Sequence, residues 1–545
     1  MTKICLISES KEIQNWQYLS LRKVIAKKLG EVVFHIILNN KFFTRPANRL
    51  SLAVNNKIFN FYTKHFERHF FPVDPDASSF IDATDLLQHP TNTASFQILQ
   101  VNDHDFSCAM PELSGHRFDI AVNFTFFSPS LFSRLGISGV YYHTINNLAA
   151  SMSSCSSNSF KRDYIVNSKL IYYENSSKSD HVIINSNSAL DRFSLVRSYN
   201  KSMCKTASFL SRALANSAHT RLNSDSLHKT FSQDFTAVGT HSVKFHQIGK
   251  QVTKYLGTKL TSKVSNRFFR NQWALFYRFD HKVSYHIYDY RKLTPPSGTF
   301  WADPFIFFYD GQYYIFFEEY LDNKGHISYI TLDSGGSIAG PFKILDKPYH
   351  LSYPFLFEYD RDIYMTPESS GNQTIDLYKA DIFPHTWNFV KSIKTNLRAL
   401  DPTLLFYDSK WWLFVNIAEN PGSSGFDELF LFYSNSPIDD SWTAHPLNPI
   451  ISDCRKARPG GNLFTFDGKL FRPSQDCSRA YGYGLRINQV NKLSTSDYQE
   501  SEIAFLEPIY GRSNIGIHHI SHNRGLTVLD SNFRVFNKSR SRTSL

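Results

Sequence analysis

The sequence is poor in features that cross-link or anchor a chain. Its six cysteines are scattered without a C-x-x-C pair, which argues against a zinc site and against a disulfide framework. No run approaches the ~18 consecutive apolar residues that a bilayer-spanning helix needs. The first residues, MTKICLISES, predict a β-strand instead of a signal peptide, so we expect no transmembrane segment and a cytoplasmic location.

Motifs and charge runs typical of nucleotide or nucleic-acid binding are also missing. Neither G-x-G-x-x-G nor G-x-x-x-x-G-K-[ST] follows the first predicted strand, so the sequence indicates no dinucleotide or P-loop site. The net charge is +11, yet the basic residues form no long run before the tail at 538–542. Such a diffuse excess is typical of a solvated surface, or it raises the affinity for acidic glycans. We predict no nucleic-acid partner.

Aromatic residues, in contrast, are abundant, with 48 Phe and 29 Tyr in 545 residues. Their flat side chains cover a half-buried pleated surface well, so this content favours strands. The length exceeds what one hydrophobic core supports and predicts two domains. We expect an α/β domain over 1–215, a linker with helices over 216–275, an all-β domain over 276–537 and a disordered tail over 538–545.

The second half repeats one β-hairpin unit. Each copy is an aromatic strand, a tight polar turn and a second strand, as in FFYDGQYYIFFEE and FTFDGKLFRPSQD. Asp-Gly between such runs is a strong hairpin signal, because this turn needs positive φ. A β-unit that recurs about every 50 residues predicts propeller blades, here five. The predicted turns lie at Asp310, Asp360, Asp408, Asp467 and Asn523.

Prolines stand six residues before the first three turns, in Ala-Asp-Pro, Ser-Tyr-Pro and Leu-Asp-Pro. Proline fits the first position of a strand, so Asp303 and Asp401 lie at the mouths of innermost strands, near the axis. Glu368 belongs to a second polar set, eight residues after the turns. Converging carboxylates shift one another's pKa values and supply an acid beside a base, as glycosidic chemistry requires. We predict that Asp303, Glu368 and Asp401 are catalytic, the alternative being strand-end residues that bond the next blade.

Five further residues are predicted to bind substrate. An axial Arg458 could hold a hydroxyl pair, a carboxylate or a phosphate, or it could simply neutralise the acids. Trp301 could stack on a sugar ring or belong to the core. No ligand spacing demands a metal ion, so no metal site is predicted. The predicted binding residues are Arg458, Glu318, Trp301, His518 and Gln475.

These motifs resemble known families. TFWADPF, YPFLFEYDRDIYMTPESSG, LDPTLLFYDSKWWLF and RPGGNLF resemble the N-terminal domain of plant glucosamine inositolphosphorylceramide transferases, over about 294–533. Ala-Asp-Pro-Phe before Asp-Gly-Gln-Tyr-Tyr is similar to the first blade of family 43 glycoside hydrolases, whose first-blade aspartate acts as a base. The resemblance therefore implies a carbohydrate or glycolipid substrate and a basic role for Asp303. The hydrolases' acid glutamate and modulating aspartate come in a different order from Glu368 and Asp401. The plant transferase chemistry is assigned to a separate domain, so that activity is not implied.

The first half alternates strands and a helix. Strands are predicted at 3–7, 31–38, 118–124 and 139–143, with a helix over 14–29. This opening is typical of a doubly wound α/β fold.

The segments FDIAVNFTF and GVYYHTINN are similar to the formyltransferase fold of methionyl-tRNA and sugar N-formyltransferases. SYNKSMCKTASFLSRAL would be the helix that closes the domain. Those enzymes use an Asn-x-His pair, but Tyr141 stands where the asparagine is expected. The resemblance therefore implies a degenerate domain with His143, Asn146 and Asn147 as candidate residues. A folate donor is expected only if this domain is active, and otherwise no cofactor is predicted.

Three functions fit the whole pattern. The first is a carbohydrate-active protein of intracellular glycan or cell-surface polysaccharide biosynthesis, performing glycosyl transfer or glycosidase-like chemistry if it is catalytic. The second is a non-catalytic sugar-binding module. The third is a sugar N-formyltransferase in which the propeller selects the substrate.

Overall fold

The computed structural model divides into two compact units, Met1–Tyr255 with Glu419–Ser424, and Leu256–Ala418 with Gly425–Leu545. It describes residues 1–38, 72–83, 97–101, 118–125, 129–146, 165–191, 194–217, 267–508 and 514–536, with a few single residues elsewhere. Most of the predicted linker and the whole predicted tail lie outside these residues. Within the described ranges, no helix is long and apolar enough to cross a bilayer.

The first unit is built on a seven-stranded mixed sheet. Its order is β5-β3-β1-β6-β7-β8-β9, parallel from β5 to β7 and antiparallel at β8 and β9, while β2 pairs with β4. The strands are β1 (Thr2–Ser8), β2 (Glu12–Gln14), β3 (Gly30–Leu38), β4 (Phe80–Asp82), β5 (Gln97–Val101), β6 (Ile120–Asn123), β7 (Gly139–Asn146), β8 (Ile165–Glu174) and β9 (Ser179–Ala189). The helices are α1 (Asn15–Ala26), α2 (Leu195–Thr206) and α3 (Phe209–Ser217).

Strand β1 is buried on both faces of this sheet. Ile4 and Leu6 belong to one core cluster, with residues of α1 and α3, whereas Cys5 and Ile7 belong to another, with Phe132. Successive strand residues point to opposite faces, so an all-apolar run such as ICLI fits a central parallel strand covered on both sides.

The predicted strands of the first unit are confirmed, and the predicted helix over 14–29 is α1. The predicted closing helix is instead two helices, α2 and α3, separated at residues 207–208. The described residues thus show an α/β unit with a mixed sheet and three α-helices. The doubly wound arrangement stays a prediction.

The second unit contains five sheets, which we call blades one to five. The chain enters through β10 (Phe269–Phe279) and β11 (Arg291–Leu293), which belong to blade five. Blade one is β12 (Phe300–Tyr309), β13 (Gln312–Leu321), β14 (Lys324–Leu332) and β15 (Ile338–Leu345), and blade two is β16 (Ser352–Tyr359), β17 (Asp362–Ser369), β18 (Thr374–Ile382) and β19 (Thr386–Thr395). Blade three is β20 (Arg398–Tyr407), β21 (Lys410–Ala418), β22 (Glu428–Ser434), β23 (Thr443–Ala444) and β24 (Ile451–Ser452). Blade four is β25 (Phe464–Phe466), β26 (Lys469–Asp476), β27 (Gly484–Leu493) and β28 (Tyr498–Leu506), and β29 (Asn514–Gly516), β30 (Ile520–Asn523) and β31 (Leu526–Phe536) complete blade five. The predicted five-bladed β-propeller is confirmed.

Two-residue turns join the first two strands of every blade, counting β30 and β31 in blade five. Both turn residues have positive φ in each case, as at Asp310 (47°) and Gly311 (75°). The predicted turns of blades one to four are confirmed. The prediction for blade five is wrong by one residue, because Asn523 pairs with Leu526 and the turn is Arg524–Gly525. Asn-Arg-Gly offers two possible registers, and pairing with the neighbouring strand decides between them.

Blade five closes the ring by joining the two ends of the unit. Strand β31 pairs with β10 in an unbroken antiparallel register, from Phe269 opposite Phe536 to Phe279 opposite Leu526. Strand β10 therefore begins within the range predicted as a linker. At its centre, Leu275 is fully buried with Trp301 of blade one and Val528 of β31. This contact joins the last blade to the first.

We expect Leu275→Ala to lower the free energy of unfolding by roughly 2–5 kcal/mol, because it leaves a cavity in this contact. Arg270→Ala, on the exposed end of the same strand, is the control and should change it by less than about 0.5 kcal/mol. Urea denaturation of both variants measures the difference. Equal stabilities would show that the closing strand contributes little.

Candidate functional site

The first strand of each of the first three blades has a bulge at a proline. These prolines lie inside the strands and not at their first positions as predicted, because the bulge accommodates the missing N–H. Asp303, Tyr353 and Asp401 precede these prolines and have φ of 52°, 49° and 53°. The strand register shifts at the same three places. Bulges re-aim side chains, and positive φ in residues with a Cβ stores strain that is concentrated at functional sites. Here the three re-aimed side chains reach other blades.

Tyr353 braces the propeller across its axis. Its hydroxyl hydrogen-bonds the Thr403 hydroxyl at 2.8 Å and accepts the Gly461 N–H at 3.1 Å. These partners belong to blade three and to the start of blade four, so one side chain ties three blades together. Blade two therefore has a tyrosine at the position where blades one and three have an aspartate, and this tyrosine makes a structural contact.

The second polar set lies opposite the bulges. Glu318, Glu368 and Asn416 pair with Ala302, Ser352 and Leu400, the residues just before each bulge. This register explains the spacing of eight residues after each turn. The proline bulges and this polar set therefore lie at the same end of the blades.

One half of the site is organised by a guanidinium. Arg458 Nε lies 2.6 Å from Asp401 Oδ2, its Nη2 lies 3.2 Å from Asp401 Oδ1, and Nη2 is 3.5 Å from Glu368 Oε2. Gln475 donates to Asp401 Oδ2 at 2.9 Å. Glu368 accepts the backbone N–H of Asp401 at 3.2 Å and the Ser370 hydroxyl at 2.7 Å. Side chains of blades two, three and four thus meet in one buried ionic group.

The other half is organised by an imidazole. His518 lies between two buried carboxylates, with Nε2 3.1 Å from Asp303 Oδ1 and Nδ1 2.9 Å from Asp530. Asp530 also accepts the backbone N–H groups of His518, His519 and Asp303. His519 turns away, and its ring packs edge-on against Phe305.

Glu318 faces a partially exposed histidine. The distance from its Oε1 to His350 Nε2 is 3.2 Å, and His350 Nδ1 accepts the Gly325 N–H at 3.0 Å. Gly325 is closely packed here, since a Cβ would lie 2.6 Å from the His350 ring. We call the eight buried side chains of these groups the axial cluster: Asp303, Glu318, Glu368, Asp401, Arg458, Gln475, His518 and Asp530.

The carboxyl groups of the axial cluster differ in acidity. Burial raises the pKa of Asp401 to about 7, with Glu368 adding to the rise and Arg458 opposing it. Burial also raises the pKa of Asp303, although His518 opposes the rise. In the same way burial raises the pKa of Glu318, and His350 opposes it. Asp530 behaves oppositely, because His518 outweighs burial and lowers its pKa. Protonated and ionised carboxyls can therefore coexist around one axis, which is a requirement of acid–base catalysis.

His518 is the charged centre of its half. Burial lowers the pKa of this imidazole, but Asp530 and Asp303 outweigh burial and raise it to about 10. Asp303, His518 and Asp530 also bring possible metal ligands within 4.8 Å of one another. Both imidazole nitrogens lie within 3.1 Å of a carboxylate oxygen, and Asp303 Oδ1 makes this ion pair without an aligned hydrogen bond among the described residues.

Trp301 lies outside the site. It is 5% exposed, and its indole N–H donates to Glu319 Oε1 at 3.2 Å. Adjacent strand residues face opposite sides, so Trp301 with Glu319 points away from the face of Ala302 and Glu318. The other predicted residues of the propeller, catalytic and binding alike, are members of the axial cluster.

Of the N-terminal candidates, only the side chain of His143 lies among the described residues. Both ring nitrogens of His143 are buried without a hydrogen-bond partner among the described residues. Its ring packs against Trp16 at 5.1 Å between centroids, and burial lowers its pKa to about 3. This environment is typical of a neutral core histidine. Asn146 ends β7, and its side chain and Asn147 lie outside the described residues.

Asp530 and His350 are the site residues that sequence reasoning missed. Asp530 lies in the apolar strand LTVLDS, where a lone buried acid is a usable signal. The repeat does not mark it, because the position eight residues after the turn residue Arg524 is Asn532. His350 lies in a loop between blades, where no repeat marks it.

A cavity of about 590 Å³ lies elsewhere in the propeller. It is lined by the turns of blades four and five, including Asp467 and Arg524, and by His281 and His522. The innermost hairpins run from the bulges to these turns, so the cavity belongs to the opposite end. It contains no group of paired carboxylates.

Comparison with known proteins identifies the propeller. Residues 290–520 match the family model described as glucosamine inositolphosphorylceramide transferase 1, N-terminal. The family is thus matched over the propeller part of the chain alone. The region matched to the transferase N-terminal family includes every member of the axial cluster except Asp530, and it omits β10.

Named relatives extend well beyond this region. Glucosamine inositolphosphorylceramide transferase 1 of rice (Oryza sativa subsp. japonica) is 37% identical over 216 residues, which are 38% of this chain and 29% of that protein. The Arabidopsis thaliana protein of the same name is 35% identical over 213 residues, covering 38% and 28%. The match thus spans less than a third of the length of these curated relatives.

The solved structures that match this chain have low sequence identity and low TM-scores. The catalytic domain of the Coprinopsis cinerea GH62 α-L-arabinofuranosidase has a TM-score of 0.33 and 12% identity, covering 42% of this chain and 90% of that one. The GH43_1 enzyme of Xanthomonas citri has a TM-score of 0.33 and 12% identity, covering 43% and 87%. The fold assignment rests on the five sheets themselves.

We expect His518 to give the fold a specific pH dependence. A folded-state pKa of about 10, against an ordinary 6.5, stabilises the fold fully below pH 6.5, and this contribution disappears as the pH rises through 10. His518→Gln should therefore be less stable than the wild type at pH 6, and the gap should narrow towards pH 10.

Urea denaturation at pH 6, 8 and 10 measures this gap. His522→Gln is the control, because burial lowers the pKa of His522 and the variant should show no such narrowing. A gap for His518→Gln that stays constant with pH would contradict a buried imidazolium.

Proposed function

We propose that the propeller is a carbohydrate-active domain that handles a glycan or glycolipid at the axial cluster. One observation carries the proposal: four buried acids share Arg458 and the buried His518, and a fifth, Glu318, faces His350, all at the end of the blades where the strands bulge. Carboxyls of unequal acidity around one axis suit the breaking or making of a glycosidic bond. The match of residues 290–520 to a family model described as glucosamine inositolphosphorylceramide transferase 1, N-terminal, supports the same substrate class.

The contacts suggest how the roles divide. Asp401 accepts hydrogen bonds from Arg458 and Gln475. These contacts suit a positioning residue that orients the Arg458 guanidinium. Glu318 combines a raised pKa with a path to solvent through His350, whose side chain is 45% exposed. In the proposed reaction, Glu318 protonates the leaving glycosidic oxygen as its C–O bond breaks. Asp303 takes the proton of the hydroxyl whose oxygen forms the new bond.

A second candidate, a non-catalytic sugar-binding module, is favoured by the bidentate pair of Arg458 with Asp401. In that case the paired acids only accept hydrogen bonds from sugar hydroxyls. Folate-dependent formyl transfer gains no support from the buried, neutral His143.

We expect Asp303→Asn and Glu368→Gln to keep the fold and to lower affinity or kcat/KM for the glycan about a hundredfold, because each removes a charge at the axis. The wild type is first tested by thermal shift against sugars, nucleotide sugars and folates. The hits are then followed by calorimetry and by product analysis. Turnover separates an enzyme from a binding module.

Two matched controls accompany these variants. Asp310→Asn changes an acid at the far end of the same strand, where asparagine also tolerates positive φ. Glu358→Gln changes an exposed acid of blade two. Both should behave as the wild type. Unchanged affinity together with unchanged turnover in Asp303→Asn and Glu368→Gln, or a response to folates alone, would sink the proposal.

A further inference from the structure

Tyr481 is a partially exposed aromatic side chain beside the axial cluster. It is 47% exposed, although its neighbours are among the most buried polar groups of the propeller. The Arg458 guanidinium carbon lies 4.9 Å from its ring centre, and the His518 ring lies 5.4 Å away, centroid to centroid. The phenol therefore borders both halves of the cluster.

The chain around Tyr481 holds the ring in this place. Phe426 stacks on it, with centroids 5.8 Å apart and planes at 26°. Gly482 has φ of +62°, and a Cβ there would lie 3.1 Å from both Trp273 and His518. A glycine is needed because the backbone takes a left-handed turn against these two rings. The position of the Tyr481 ring is thus fixed by its contact with Phe426 and by the constrained backbone at Gly482.

The charge of the axial cluster limits what can bind beside this ring. Four of its acids face the buried cations Arg458 and His518, Glu318 faces the partially exposed His350, and each of these three basic groups already contacts a carboxylate. The whole chain carries +11, but this excess is not found at the axis. A ligand with its own carboxylate would meet like charges without a free cation, which costs affinity. Hydroxyl or ammonium groups would instead donate to the acids.

We propose that Tyr481 is the stacking wall of a sugar subsite, and that the bound ring is a neutral or amine-bearing pyranose. The C–H face of the sugar packs on the phenol ring, whose electron-rich face attracts these weakly positive hydrogens. The hydroxyl or amino groups of the sugar face the carboxylates. This inference rests on the proposed function and adds the orientation and chemical class of the ligand.

Calorimetry on the full chain tests the inference with methyl glycosides of glucose, glucosamine and glucuronic acid. We expect Tyr481→Ala to weaken binding about tenfold and Tyr481→Phe to keep it, because only the aromatic face is required. Tyr481→Leu fills a similar volume without a flat ring and should bind as weakly as the alanine variant. Its thermal unfolding shows that the loss is not a folding defect.

Tyr407→Ala is the matched control, since this tyrosine is 43% exposed and lies at the turn of blade three. It should bind as the wild type. Wild-type affinity in the alanine and leucine variants overturns the stacking wall and leaves the proposed function standing. Tighter binding of the glucuronide than of the other two glycosides overturns the charge selection. Absence of binding to any glycan in the wild type overturns the proposed function together with this inference.

Discussion

Five carboxylates buried around one axis repel one another, and the structure depends on how this repulsion is balanced. Each carboxylate has a partner from another strand or loop, through Arg458, His518, His350 or a backbone N–H. Removing one partner of a buried pair leaves an uncompensated charge and lowers stability, so the partners of the cluster depend on one another. The same balance leaves some carboxyls with raised pKa values, and this makes chemistry at neutral pH possible.

Ring closure is what brings the two halves of the cluster together. Asp530 lies on β31 directly opposite Leu275 of β10, and it receives the backbone N–H of Asp303 from blade one. The first and last strands of the propeller therefore define the position of His518. The pairing of β10 with β31 therefore has two roles. It closes the ring, and it positions Asp530, on which the pKa of His518 depends.

The sequence allowed much of the propeller to be predicted. Asp-Gly between aromatic strands has a local cause, since the turn needs positive φ, and four of the five turns were placed correctly. The Asp-Pro pairs were likewise visible and led to Asp303 and Asp401, although the bulges at these prolines were not predicted. Trp301 was assigned to the site although it is buried in the core, because composition cannot show which face of a strand meets the axis. In the first unit, His143 was found by resemblance, but only the packing of Trp16 around it shows a neutral, enclosed ring.

By itself, the sequence determined the repeat, the number of blades and the acids at the strand mouths. These features follow from short-range rules of turn geometry, strand alternation and proline placement. The tertiary structure alone decided the pairing of Arg458 with Asp401, the position of His518 between Asp303 and Asp530, and the closure of the ring by β10. Arg458 and Asp401 are 57 positions apart, and Asp303 and Asp530, which both contact His518, are 227 apart. No local pattern encodes such a distance, because it depends on how five blades pack around one axis.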